Sequence, residues 1–84
     1  MTVEYFLEIT AKCPSDDSAD DVYDCWITSR KTLPVESILK VVEELTAEPL
    51  YQEDLGVSLA ASLGAEVTLV GVHYGIRTTT WAGR

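Results

Sequence analysis

The stretch PVESILKVVEELTAEPLYQEDLGVSLAASLG, residues 34–64, decides the fold of this 84-residue chain. Apolar side chains recur in it every three or four residues, which is typical of helices packed on a core. Pro49 cannot continue a helix but can open one, so the stretch predicts two helices, the second ending at Gly64. The apolar positions are Val35, Ile38, Leu39, Val42 and Leu45 in the first helix and Leu55, Leu59 and Leu63 in the second.

The residues before this stretch predict an antiparallel hairpin. Residues 3–12 and residues 22–30 each alternate between two sides, which indicates two half-buried strands. Residues 13–21 contain Pro14 and four aspartates, so we expect a polar loop there. The apolar side consists of Val3, Tyr5, Leu7, Ile9 and Ala11 in the first strand and Tyr23, Cys25 and Ile27 in the second.

The residues after the helices have high β propensity and predict two more strands, residues 65–72 and 76–81. Gly75 between them forms either a tight turn or a bulge within one long bent strand, and both alternatives stay open. The chain is therefore expected to be a single α+β domain over residues 1–84, in the order β-β-α-α-β-β. Both helices should cover one face of an antiparallel sheet.

The opposite face of the predicted sheet is half apolar. It combines polar side chains with large apolar ones, a pattern that favours contact with another molecule in so small a domain. We therefore expect the protein to form a homo-oligomer. The large apolar residues of this face are Phe6, Trp26, Val70 and Trp81.

The charge balance restricts the partners. Six lysines and arginines stand against fourteen aspartates and glutamates, so the net charge is −8. This charge disfavours nucleic acid and anionic membranes and favours a protein partner with a basic surface. The sequence lacks a long apolar run and a signal-like start, so a cytoplasmic location is expected. Cys13 and Cys25 are either two reduced thiols or one bridge across a hairpin.

The residue patterns do not complete a catalytic or metal-binding set. The aspartates of residues 16–21 lack the central glycine and the distant glutamate of an EF-hand calcium loop. His73 is the only histidine, and the sequence contains neither a nucleophile elbow nor a phosphate-binding loop. We therefore expect no catalytic residue, metal or cofactor, and a non-enzymatic role is favoured over an enzymatic one.

Two groups of residues are candidates for binding. Glu53 lies in the first turn of the second helix, where the helix dipole favours a carboxylate. A carboxylate can accept two hydrogen bonds from the paired donors of a guanine or pterin, although such a glutamate is also common in ordinary helices. The candidates for a protein interface are Glu43 and Glu44 on the acidic helix face and the aromatic residues Trp26, Tyr74 and Trp81. A solvated helix face and sheet packing are the alternatives.

The element order and residues 51–55, Tyr-Gln-Glu-Asp-Leu, resemble the tunnelling fold of GTP cyclohydrolase, dihydroneopterin aldolase and 6-pyruvoyl tetrahydropterin synthase. In GTP cyclohydrolase a Gln-Glu pair opens the second helix, and its glutamate anchors the purine. The resemblance covers about the last half of the chain and assigns ligand binding to Gln52, Glu53 and His73. The zinc segment Cys-Glu-His-His is missing, and Gly75 stands where the second zinc cysteine would fall. The resemblance thus implies a ligand pocket between subunits without the chemistry of the family.

Three functions remain open from the sequence. The favoured one is a small acidic, non-enzymatic binding or inhibitory module that acts through protein–protein contacts. The second is a purine- or pterin-binding oligomer with the tunnelling fold, in which Glu53 anchors the ligand. The third is a structural subunit that self-assembles through its strand edges, with Trp81 and residues 78–80 at the seam.

Overall fold

The structure is a computed structural model that describes residues 1–83. Its four strands form one antiparallel sheet in the order β1-β2-β3-β4, and two helices connect β2 to β3. This arrangement confirms the predicted α+β class and the order β-β-α-α-β-β. Neither helix, with 11 and 12 residues, is long and apolar enough to cross a membrane. The elements are β1 (Val3–Cys13), β2 (Asp16–Ser29), α1 (Val35–Leu45), α2 (Gln52–Leu63), β3 (Glu66–His73) and β4 (Ile76–Ala82).

The core lies between the helices and one face of the sheet. The predicted alternation of β1 and β2 is confirmed, because Ile9, Tyr23 and Ile27 are almost inaccessible to solvent. Leu55 and Leu59 of α2 pack into the same core. Burial of these side chains is the main stabilising contribution in a domain of this size. As a result, α2 lies over β3 and β4, and α1 packs beside α2.

The buried side of α1 differs from the predicted one. Ile38 is buried as expected, but Val35 and Leu39 are each more than half exposed. The predicted apolar face was therefore wrong at these two positions. The reason is that α1 packs chiefly against α2, and a single neighbouring helix covers only a narrow strip. That strip is completed by Val41, Val42 and Leu45.

The aspartate-rich segment is a strand, so the predicted polar loop over residues 13–21 was wrong. Only Pro14 and Ser15 form the turn, between the paired residues Cys13 and Asp16. The register then shifts, and the ladder resumes with Lys12 opposite Asp20 and Ala11 opposite Asp21. Strand geometry places consecutive side chains on opposite faces, which separates the charges of Asp20 and Asp21. Lys12 also forms an ion pair with Asp20 at 3.5 Å.

The link between β3 and β4 is a two-residue turn, which settles the choice between one bent strand and two. His73 pairs with Ile76, and Tyr74 and Gly75 between them have φ values of 52° and 81°. Two positive φ angles are typical of the tight hairpin turns that match the twist of a sheet. Gly75 adopts this conformation readily, whereas Tyr74 is strained by its Cβ.

Replacing Tyr74 with asparagine should raise the free energy of unfolding by about 1 kcal/mol, since asparagine tolerates the left-handed conformation. Tyr74 is 90% exposed, so few packing contacts are lost. Urea denaturation of the two proteins measures the difference. Tyr74→Ala is the matched control, because it removes the same exposed ring but does not tolerate the left-handed conformation as asparagine does. An equal gain in both variants would show that the turn is not strained.

Candidate ligand-binding site

The three predicted ligand-binding residues lie at one end of the sheet, where α2 begins and β3 ends. Gln52 and Glu53 are in the first turn of α2, and His73 is the last residue of β3. Gln52 and His73 are in direct contact, with 2.8 Å between Gln52 Oε1 and His73 Nε2. The side chain of Glu53 is exposed. The structure therefore brings Gln52 and His73 together from distant parts of the chain.

Gln52 is buried, and its hydrogen bonds determine the orientation of its amide. Its Nε2 donates to the carbonyl oxygen of Leu69 at 3.1 Å and to that of Thr78 at 3.0 Å. A carbonyl oxygen only accepts, so the NH₂ group must face these two strands and Oε1 must face His73. His73 Nε2 must then carry a hydrogen. The amide thus links α2 to β3 and β4 and selects the tautomer of the histidine.

Asp21 and Tyr23 of β2 extend this set of contacts. His73 Nδ1 lies 3.6 Å from Asp21 Oδ1, and the Tyr23 hydroxyl donates to Asp21 Oδ2 at 3.3 Å. The rings of Tyr23 and His73 are tilted by 48°, with centroids 5.8 Å apart. Gln52, His73, Asp21 and Tyr23 therefore form a continuous polar chain between α2 and β2. A proton on Nδ1 would turn the contact with Asp21 into an ion pair.

The pKa of the Tyr23 phenol is shifted by its burial and by neighbouring groups. Burial is the main cause that raises the pKa of the Tyr23 phenol well above its usual value, followed by the negative charge of Asp21. Cys13 and Glu53 raise it further. Tyr23 stays protonated at neutral pH and remains a hydrogen-bond donor.

The two cysteines are free thiols in different surroundings. Cys13 is half buried at the end of β1, with its Sγ 3.1 Å from Ser15 Oγ. Cys25 lies in the core opposite Leu7, and burial raises the pKa of its thiol to about 12. A thiol with so high a pKa is a poor nucleophile.

The start of α2 leaves backbone donors for a ligand or solvent. Tyr51, the N-cap residue, is extended and makes no side-chain cap hydrogen bond, while Glu53 and Asp54 supply negative charge in the first turn. Within residues 1–83, no three histidine, cysteine or acidic side chains are arranged to hold a metal ion. The arrangement suits a neutral molecule whose N–H groups face the carboxylate of Glu53.

Sequence reasoning missed Asp21 and the polar role of Tyr23. Both lie on the helix side of β2, opposite Ala11 and Ile9. The signal was present, because the alternation that marks Tyr23 as core-facing extends unbroken to position 21. It was overlooked because the aspartates were assigned to a loop.

The residues predicted to bind a protein partner lie on three separate surfaces. Trp26 and Trp81 are on the sheet face opposite the helices, and Tyr74 is at the β3–β4 turn. Glu43 and Glu44 are exposed on α1. They therefore do not form one interface within the chain.

A cavity of about 850 Å³ lies at the other end of the sheet, away from the polar chain. Its wall includes Arg30, Lys31, Ala61 and Glu66 but none of the predicted ligand-binding residues. The cavity is wide and open, and its size alone does not make it a binding site.

The fold is similar to that of a solved protein. The crystal structure of the archaeosine synthase QueF-Like in the apo form matches with a TM-score of 0.79 and 18% sequence identity, over 99% of this chain and 94% of that chain. This chain has the tunnelling fold. No protein-family model matches the sequence, and no curated protein matches it either.

The predicted tunnelling fold is confirmed, and the structural similarity extends over nearly the whole chain rather than the last half. At 18% identity the similarity establishes the fold and leaves the activity to be argued from the site. In this tunnelling-fold chain the Gln-Glu pair opens α2 as expected, and the partner of Gln52 is His73.

Proposed function

We propose that this protein binds a purine- or pterin-like heterocycle at the start of α2, with Glu53 as the anchor. The proposal rests on the polar chain from Gln52 to Tyr23. This chain of contacts fixes the residue next to Glu53, whose carboxylate is exposed. A carboxylate held by a helix start can accept two parallel hydrogen bonds from the amidine-like edge of such a ring.

Gln52 and Glu53 have different roles in this proposal. Both N–H groups and the oxygen of the Gln52 amide are used within the protein, so contact with a ligand would break existing bonds. Glu53 is the neighbour with a solvent-facing side chain. We therefore assign Gln52 to positioning and Glu53 to ligand contact. His73, held by Gln52, borders the ligand from the end of β3.

The similar solved structure supports a purine-related ligand, because it is that of an archaeosine synthase. The sequence favoured a protein-binding module, but the residues predicted for it are dispersed over three surfaces. Gln52 and His73, which are predicted to bind a ligand, are in contact with each other, and this favours the ligand-binding hypothesis. The proposal concerns binding and does not extend to the reaction of the similar protein.

Replacing Glu53 with glutamine should weaken binding of guanosine or pterin at least about tenfold, since one neutral amide cannot accept from two donors as a carboxylate does. Isothermal titration of each compound measures the change. The melting temperature should stay the same, because Glu53 is exposed. Asp54→Asn is the matched control, removing one charge from the same helical turn.

Two outcomes would contradict the proposal. Equal weakening by Glu53→Gln and Asp54→Asn would show that only the net charge of the turn matters. Failure of the unaltered protein to bind either compound at ~1 mM would exclude this ligand class at a useful affinity.

A further inference from the structure

The sheet face opposite the helices carries a row of aromatic side chains. Phe6 is paired with Trp26, Trp26 with Thr68, and Thr68 with Trp81, so the four residues cross all four strands in one line. Phe6 and Trp81 are 59% and 58% exposed. The rings of Phe6 and Trp26 are 5.1 Å apart and tilted by 52°. We call these four residues the aromatic row.

Carboxylates border the aromatic row along the strands. Glu4 and Glu8 are two residues from Phe6 on β1, Asp24 is two residues from Trp26 on β2, and Glu66 is two residues from Thr68 on β3. Residues two apart on a strand share a face and are about 7 Å apart. All four carboxylates are on exposed residues. The row therefore has an acidic border on both sides.

Four basic residues lie near this face. Lys12 forms an ion pair with Asp20, and Arg77 lines the same shallow depression as Asp24. Arg30 and Lys31 follow β2 and line one cavity with Glu66 and Trp81. Within residues 1–83, no ion pair joins any of the four bordering carboxylates to a basic side chain. The acidic border therefore remains available to another molecule.

The negative charge and the aromatic side chains of this face indicate which kind of molecule can bind it. A second copy of the chain laid face to face would oppose carboxylate to carboxylate, and lipid head groups and nucleic acid phosphates would be repelled as well. A guanidinium group stacks on aromatic rings and donates two parallel hydrogen bonds to a carboxylate. We propose that the aromatic row and its acidic border bind an arginine-bearing segment of a partner protein.

This surface is independent of the proposed ligand site. The row is on the helix-free face, whereas Gln52, Glu53 and His73 are on the helix side at one end of the sheet. The net charge of −8 draws a basic partner toward the protein from a distance. The aromatic row then distinguishes arginine from lysine, because the flat guanidinium is less strongly hydrated and stacks better.

A decapeptide of alternating arginine and glycine is a direct probe. We expect it to bind, to change the fluorescence of the tryptophans, and to bind more weakly as salt is added. The double variant Glu8→Gln and Asp24→Asn, which alters two carboxylates paired across β1 and β2, should bind about tenfold more weakly. The control Glu43→Gln and Glu44→Gln removes the same two charges from α1 and should change binding less than about twofold.

Two results would overturn the inference. Equal loss in the sheet and helix variants would mean that the peptide responds to net charge alone. Equal affinity for a peptide of alternating lysine and glycine would remove the role of the aromatic row. A third variant, Phe6→Thr, keeps a strand-forming residue at an exposed position and should weaken the arginine peptide specifically.

Discussion

Replacing Gln52 with leucine will lower the free energy of unfolding by about 3 kcal/mol, as expected when buried polar groups lose their partners. The side chain is only 2% exposed, and leucine fills a similar volume without donating or accepting. The carbonyls of Leu69 and Thr78 and the ring of His73 would each lose a hydrogen bond. Urea denaturation followed by circular dichroism measures the loss.

The same variant tests the tautomer of His73. In the unaltered protein the Gln52 oxygen requires a hydrogen on Nε2, and nitrogen-15 NMR of the ring should show it there. In Gln52→Leu this preference should weaken. The neighbouring substitution Glu53→Ala is the control and should change stability by less than about 0.5 kcal/mol, because Glu53 is exposed. If both variants lost a similar amount of free energy of unfolding, the cause would be disruption of the helix start and not loss of the buried amide.

Replacing Gly71 with alanine will lower the free energy of unfolding by about 2–3 kcal/mol, the usual cost of overfilling a packed core. A Cβ at this position would lie 2.5 Å from Cδ1 and 2.6 Å from Cε1 of Tyr23. Tyr23 is 1% exposed and is held by Asp21, so its ring cannot move aside freely. Glycine is needed here for the close approach of a ring to a strand backbone. Chemical denaturation provides the measurement.

Gly56→Ala is the matched control for Gly71→Ala. Its added Cβ would meet Thr80 Cγ2 at 3.2 Å, and alanine favours the helix, so the two effects largely cancel. Combining Gly71→Ala with Tyr23→Leu should cost less than the two single changes added together, since the smaller side chain relieves the clash. Strict additivity would mean that the ring and position 71 do not conflict.

The Gly71 substitution also links the fold to the proposed ligand site. Displacement of the Tyr23 ring would move Asp21 and His73, because these groups are joined by direct contacts. A site that is supported by this polar chain depends on core packing as well as on the residue that contacts the ligand. Gly71→Ala should therefore weaken guanosine or pterin binding although it leaves Glu53 intact.

The sequence predicted the secondary structure well wherever one pattern dominated. Alternation placed Ile9, Tyr23 and Ile27 in the core, and the spacing of Leu55, Leu59 and Leu63 predicted the buried side of α2. The prediction from sequence was wrong where the residue composition of a segment favoured a loop but the segment pairs with a neighbouring strand. Residues 16–21 have the composition of a loop, yet both ends of this segment pair with β1, across a shift in register between Lys12 and Cys13.

The candidate site was predictable in part. Gln52, Glu53 and His73 were named from the resemblance to the tunnelling fold, and the structure places Gln52 against His73. Whether these residues bind a ligand stays a prediction. Asp21 was missed because the aspartates were assigned to a loop, although the alternation of β2 extends to it. The partner-binding residues were chosen by type, and residue type alone does not place side chains on a common surface.

By itself, the sequence determined the element order, the core-facing sides of the strands and the end of α2 at Gly64. These features depend on neighbours along the chain, through the periods of strands and helices and the freedom of one glycine. Only the tertiary structure decided that Gln52 reaches Leu69 and Thr78 and that Tyr23 lies against Gly71. It also decided that the four residues of the aromatic row lie in one line across the sheet. Such contacts depend on strand register and helix placement, which the packing of the whole core sets.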